Sequence, residues 1–156
     1  MPGSAYERGR RDEPAETRPT VTRGLLDTNI VIQRRRVDPA GLPDEMTICS
    51  VTLAELSAGP HYVLDDGVER ARRLDVLQRA EADFDPIPFG TEAARAFGRV
   101  SAAVLAAGRK PRARIADLMI ASVAVAEELP LYTTNPADFV GLDGLVDVVP
   151  IALQGM

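Results

Sequence analysis

A mainly parallel α/β sheet covered by helices on both faces is the fold this sequence predicts, on three observations. Short apolar runs of strand length alternate with longer helix-patterned stretches along most of the chain, the order that a parallel sheet with crossover helices requires. The stretch from Ile115 to Ala126 is apolar over most of its surface, as a helix central to a domain must be. The 156 residues, 46% of them apolar, suffice for one domain with its own core, without disulfide or metal staples.

Taken in order, residues 1–23 carry Pro2, Pro14, Pro19, many charges and few large apolar side chains. Such a segment buries too little surface to offset its ordering entropy and reads as disordered, with structure beginning near Thr22. Gly24-Leu25-Leu26 is a short strand running into Asp27-Thr28-Asn29 and a short helix to about Arg35; Pro39, Gly41 and Pro43 mark a loop. Thr47-Ile48-Cys49-Ser50-Val51 reads as a second strand, followed by a helix from about Leu53 that Gly59-Pro60 stops. Residues 62–83 read as a longer amphipathic helix with Leu64, Val68, Leu74, Leu77 and Ala80 on its apolar side, and Asp85-Pro86-Ile87-Pro88 as an extended link. Residues 91–107 form an Ala-rich helix stopped by Gly108, and 112–128 the central apolar helix. A strand follows at 130–134, and an edge strand at 146–149.

Composition removes several function classes. No run approaches the roughly 18 apolar residues of a membrane span, and the polar first twenty residues lack the apolar core of a secretory signal. With one cysteine, Cys49, no intramolecular disulfide framework or Cys-based zinc cluster forms, and one histidine, His61, limits any His-dependent nucleophile. Both residues read as structural, and the plain reading is a cytosolic protein. Eighteen basic against 23 acidic residues argue against coating nucleic acid by bulk charge. The acidity belongs to the folded part, since residues 1–23 hold five basic and four acidic side chains, leaving 13 and 19 beyond them. No Gly-rich phosphate loop appears.

The informative acids lie where strands end. Asp27 follows a strand and opens a helix, the edge of a parallel sheet where ligands bind; a simple helix cap explains it equally well. Glu55 fits the T-x-x-E capping box begun by Thr52, and spacing alone favours that account. It also follows the second strand and so reaches the same sheet edge. Asp117 stands among apolar neighbours in the second turn of the expected central helix, where a carboxylate without a partner would shift its pKa or destabilise the fold. For it a ligand or catalytic role outweighs a dipole contact. Thr133, Thr134, Asn135 and Asp138 bring hydroxyl, amide and carboxylate groups to the same edge, though a capped turn also fits them. Acids converging from separate elements repel one another unless a hard divalent cation joins them, and oxygen donors suit Mg2+ or Mn2+ rather than zinc. Hydrolysis of a nucleic-acid backbone is the chemistry that follows.

Four segments in order, Leu25-Leu26-Asp27-Thr28-Asn29, Ser50-Val51-Thr52-Leu53-Ala54-Glu55-Leu56, Ala116-Asp117-Leu118-Met119-Ile120-Ala121 and Thr133-Thr134-Asn135-Pro136-Ala137-Asp138-Phe139, carry a family likeness. The chain resembles the PIN-domain ribonucleases, and among them the VapC toxins of bacterial toxin–antitoxin pairs. The resemblance implies a three-layer sandwich with four to five mainly parallel strands over residues 22–153, leaving 1–21 as a leader. It implies a Mg2+-dependent endoribonuclease, with Mn2+ as an alternative ion, whose catalytic and metal-binding acids are Asp27, Glu55 and Asp117. Many relatives have an acid where this chain has Asn135, and Asp138 lies one helical turn beyond. Asp138 is therefore assigned an outer-shell or water-mediated place, with Asn135 and Thr133 or Thr134 orienting it.

The same resemblance implies a toxin that cleaves structured RNA of the tRNA or rRNA class and blocks translation. Its partners would be a VapB-type antitoxin in the active-site groove and a second copy of the chain, docked through apolar helices within 62–107. The basic stretch Arg109, Lys110, Arg112 and Arg114 leads into the Asp117 helix and could grip RNA phosphates; a solvated loop is the equal alternative. Arg34, Arg35 and Arg36 are a second candidate, which also suits a helix C-terminus. With seven aromatics and no tryptophan, RNA discrimination would rest on shape and backbone contacts. Competing readings are a silent PIN scaffold used for binding, a PIN nuclease acting on DNA, and a haloacid-dehalogenase-type phosphatase. The last wants a second acid two residues after Asp27, where Asn29 stands.

Overall fold

The computed structural model describes residues 20–155. Residues 1–19 of the expected leader lie outside the described residues; Thr20 and Val21 are exposed and belong to no strand or helix.

Four strands form one all-parallel sheet in the order β2-β1-β3-β4: β1 (Arg23–Leu26), β2 (Glu45–Thr47), β3 (Leu131–Thr133) and β4 (Val148–Pro150). Five α-helices accompany the sheet among the described residues: α1 (Thr28–Ile32), α2 (Ser50–Ala58), α3 (Gly67–Asp83), α4 (Thr91–Ala106) and α5 (Ile115–Glu127). Successive strand residues face opposite sides, which builds the layers. Leu25 and Leu131 join α4 and α5 in one apolar cluster, whereas Leu26 and Tyr132 join α1 and α3 in the other. The β1–β3 pair is so close-fitting that a side chain at Gly24 would collide with the Tyr132 ring. The three-layer parallel sandwich expected from the sequence is thus present.

Boundaries moved where tertiary bonds overrode local pattern. The second strand ends earlier than expected and its helix begins at Ser50, because Ile87 inserts as an extra parallel bridge beside Cys49. Ile87 donates its N–H to the Ile48 carbonyl (2.9 Å) and accepts from Ser50 N–H (2.8 Å). Cys49, fully buried, is therefore the cap residue of α2, and Thr52 lies inside the helix rather than capping it. α1 stops at Ile32, and Arg34–Arg36 form a separate 3₁₀ turn.

The helix expected over 62–83 starts only at Gly67, where the Asp66 side chain accepts from Glu69 N–H (3.0 Å). Its expected apolar side is buried at one end alone: Ala80 is in the core, while Val68 is 83% exposed and Leu64, ahead of the helix, 79%. α5 begins at Ile115 after a 3₁₀ turn over Pro111–Arg114, which puts Asp117 in the first turn of the helix and not the second. No helix among the described residues is long and apolar enough to cross a membrane.

Candidate active site

β1 delivers Asp27 to the carboxyl edge of the sheet, where the parallel order places the ends of all four strands together. Asp27 is 2% exposed, and both of its oxygens are engaged. Oδ1 accepts from the Thr28 N–H (2.8 Å), which makes Asp27 the cap of α1; Oδ2 accepts from the Thr133 hydroxyl (2.8 Å) across the β1–β3 pair. Asp27 thus caps α1 while also lining a cleft at the sheet edge. Thr133 Oγ1 in turn accepts from the Asn135 N–H (3.0 Å), so the turn after β3 is tied to the same carboxylate.

Glu55 arrives from α2. Its Oε1 accepts from Thr28 Oγ1 (2.7 Å), and Thr28 Oγ1 lies 3.0 Å from Thr52 Oγ1. A hydroxyl has one hydrogen to give, so with Thr28 donating to Glu55, Thr52 donates to Thr28. Thr52 is fully buried. The T-x-x-E pattern therefore does not cap α2; it places Thr52 and Glu55 on one helix face, joined through Thr28. Sequence reasoning missed both threonines as site residues. Their signal was this same three-residue spacing, read for its other meaning.

Asp117, Asp27, Thr28, Asn29 and Glu55 line one cleft of ≈ 310 Å³, into which Tyr62, Arg72 and Arg73 also face. These last three come from the stretch read only as an amphipathic helix. Burial raises the Asp27 carboxyl above its ordinary range; the Thr133 and Thr28 bonds oppose the rise, and the charges of Glu55 and Asp138 add to it. Asp117 is pushed up to about 6, first by burial and then by Asp27, Asp138 and Glu55, with Arg114 opposing. Near a helix N-terminus a carboxylate should titrate low. Asp117 does the opposite because burial, and after it the neighbouring acids, outweigh the helix terminus.

Asp138 stands in the 3₁₀ turn Pro136–Phe139 and forms an ion pair with Arg114. The pair lines an adjoining hollow of ≈ 200 Å³ with Arg109 and Lys110. Arg109 Nη1 donates to the Ala137 carbonyl (2.7 Å), so two arginines fasten this turn. Arg112 is exposed and does not line the acid cleft, Asn135 is exposed, and Thr134 carries a buried hydroxyl with no hydrogen-bond partner among the described residues.

The donor set of the cleft is carboxylate, hydroxyl and amide oxygen; Cys49 is sealed in the core, and His61 does not line the cleft. Among the described residues no three acid, imidazole or thiol groups already stand in a finished ligand cage. Carboxylates near enough to raise one another's pKa nevertheless fit a hard divalent cation, whose charge would remove that repulsion.

Comparison with known proteins accords with this geometry. The family model described as PIN domain matches residues 25–145. The chain is 38% identical over 132 residues to Ribonuclease VapC5 of Mycobacterium tuberculosis, covering 83% of this chain and 94% of that protein. Its structure matches that of VapBC-5, a member of the VapBC family of toxin-antitoxin systems from Mycobacterium tuberculosis. The TM-score is 0.72 at 36% identity, over 85% of this chain and 99% of that one. It also matches DNA-bound VapBC from Salmonella typhimurium, with a TM-score of 0.59 at 25% identity, over 81% and 96% of the two chains. With its parallel sandwich and its strand-end acids, the chain belongs to the PIN-domain family.

Proposed function

We propose that the protein is a divalent-metal-dependent endoribonuclease of the VapC type, acting as the toxin of a type II toxin–antitoxin pair in the cytoplasm. The observation that carries this reading is the meeting of Asp27, Glu55 and Asp117, from three separate elements, in one cleft at the carboxyl edge of the sheet. Relatives named as VapC ribonucleases, and a relative solved as a VapBC assembly, support both the activity and a VapB-type antitoxin as partner. Structured RNA of the tRNA or rRNA class is the substrate this reading assigns, with arrest of translation as the consequence.

Asp27 and Asp117 would be the principal ligands of Mg2+ or Mn2+. Glu55, steadied by Thr28, would complete the set or orient the attacking water. A bound divalent cation supplies Lewis acidity, which lowers the pKa of water and offsets charge on the phosphodiester. Asp27 is fixed by its two hydrogen bonds, so its geometry is set before substrate arrives, the condition for preorganised charge stabilisation. Arg112 and Arg114, outside the acid cleft, are assigned to RNA phosphates beside it, whereas Thr133, fully buried on Asp27, and Thr134, whose hydroxyl is buried, are assigned to shaping the turn rather than to touching RNA. Asp138 and Asn135 are assigned outer positions. A homodimer face drawn from residues 62–107 has exposed material in Leu64, Val68, Leu74 and Leu105.

Against a phosphatase built on an aspartyl nucleophile stands Asn29, an amide at the position two residues on where such an enzyme needs its second acid. The deciding experiment incubates purified, antitoxin-free protein with total RNA in magnesium or EDTA, beside Asp27→Asn and Asp117→Asn. Discrete fragments that need magnesium and both carboxylates are expected. Intact RNA in every lane would overturn the assignment.

A further inference from the structure

The triplet Arg34-Arg35-Arg36 has no part in the acid cleft. All three side chains are exposed on a 3₁₀ turn, and none enters an ion pair among the described residues. The backbone beneath them is held fast. Arg36 N–H donates to the Gln33 carbonyl (2.8 Å), Gln154 N–H donates to the Arg36 carbonyl (2.7 Å), and Val37, the next residue, is 2% exposed.

This turn and α3 form the two walls of a groove of ≈ 730 Å³, with Val31, Ala80 and Phe84 along it. Ile32, Arg72 and Val76 line both this groove and the acid cleft, so the two hollows adjoin along a shared wall. On the α3 wall, Arg72 and Arg79 are already paired with Glu69 and Asp75. Asp83, in no ion pair among the described residues, also lines the groove, so the triplet sets three positive charges against one negative there, on a chain whose net charge is −5. Three adjacent guanidiniums on a fixed turn repel one another, and an anion relieves that repulsion.

We propose that this groove is a phosphodiester-binding exosite, holding a single-stranded stretch of RNA that runs into or out of the acid cleft. The proposal rests on the endoribonuclease reading and extends it to a second place of contact. Adjacency to the cleft favours RNA over an acidic peptide, because the strand whose phosphate reaches Asp27 and Asp117 must leave along a neighbouring surface. Guanidinium groups bind phosphate bidentately and carry no base information of their own. The grip is therefore on the backbone, tolerant of sequence, and salt-dependent.

The test measures binding of a fluorescein-labelled oligouridylate to the full chain by anisotropy in EDTA, over a range of salt concentrations. Wild type is compared with Arg34→Gln/Arg35→Gln/Arg36→Gln and with a control, Arg95→Gln/Arg99→Gln, on the exposed side of α4. A single-stranded phosphate contact contributes about 0.7 to the slope of log K against log salt. The triple variant should lose about 2 from that slope and bind at least about tenfold more weakly at low salt, with its thermal midpoint and the control unchanged. Wild-type affinity and slope in the triple variant would overturn the proposal, as would failure of wild type to bind the oligomer. Loss of binding to an acidic protein partner with RNA binding intact would overturn it in favour of a protein-docking surface. Because binding is read without metal, this result is independent of whether the protein cuts RNA.

Discussion

The hydroxyl of Thr133 donates to Oδ2 of Asp27 over 2.8 Å, with both residues buried, and so joins the ends of β3 and β1 at the floor of the cleft. The bond has two consequences. It gives a partner to an oxygen of a carboxylate that is 2% exposed, and it favours the charged form of a carboxyl that burial drives the other way.

Replacing Thr133 with valine keeps the shape and removes the bond. Asp27 Oδ2 and the Asn135 N–H, which Thr133 also receives, both lose a partner. The expected loss is about 1–3 kcal/mol, the usual penalty for leaving a buried polar group unmatched. Urea unfolding measures it. Thr133→Ser should recover most of the loss, and a valine variant as stable as wild type would show that the bond carries no weight.

The link from Thr52 through Thr28 to Glu55 predicts a different signature. Glu55 is exposed, so its orientation depends on the hydroxyl that holds it. Removing such a supporting bond typically lowers metal affinity or activity roughly ten- to a hundredfold. Thr28→Val should reduce RNA cleavage by about that factor while Thr28→Ser retains it. Metal binding by calorimetry, run beside the cleavage assay, separates a loss of ligand orientation from general unfolding.

Much of this was legible in the sequence, and the reason is physical. β1, β3 and the Asp27 turn rest on local pattern: an apolar run ending in a polar cap residue. Asp117 was legible because a charge among Ile115, Leu118 and Ile120 conflicts with its surroundings. Tertiary matters were not legible. The insertion of Ile87 beside Cys49, which moves the start of α2 to Ser50, depends on residues nearly forty positions apart. The Thr28–Thr52 contact lay hidden for the same reason, since T-x-x-E has an adequate local explanation. α3 misled because Leu64 and Val68 fit a helical stripe that nothing among the described residues covers.

Proton linkage gives a prediction for the metal-free protein. Burial and neighbouring acids raise the Asp117 carboxyl from an ordinary 3.8 to about 6 and move Asp27 in the same direction. Between the unfolded and folded values the native state binds more protons than the unfolded chain. The stability contributed by Asp117 is therefore complete below about pH 4 and is lost as pH rises through about 6. The wild-type thermal midpoint should fall across that window more steeply than that of Asp117→Asn. Magnesium should restore the midpoint above pH 6, because a cation replaces the lost protons. Parallel curves for the two proteins would mean that Asp117 is not perturbed.

The charge of Arg114 lowers the pKa of Asp117, and Arg114 is paired with Asp138. It therefore competes electrostatically with any metal for the same group of acids. Arg114→Gln removes that competitor and leaves Asp138 uncompensated, close enough to raise both Asp27 and Asp117. Two effects follow, and they oppose each other in pH. The Asp117 titration followed by carboxyl carbon NMR should move upward, weakening metal binding near pH 6. At pH 8, where the acids are ionised in either protein, divalent-cation affinity should instead increase several-fold. Affinity for single-stranded RNA, measured in EDTA, should fall, since a guanidinium beside the cleft is gone. A metal affinity that declines at pH 8 together with RNA binding would mean that Arg114 supports the acid cluster by holding the Asp138 turn in place, rather than by standing in for the ion.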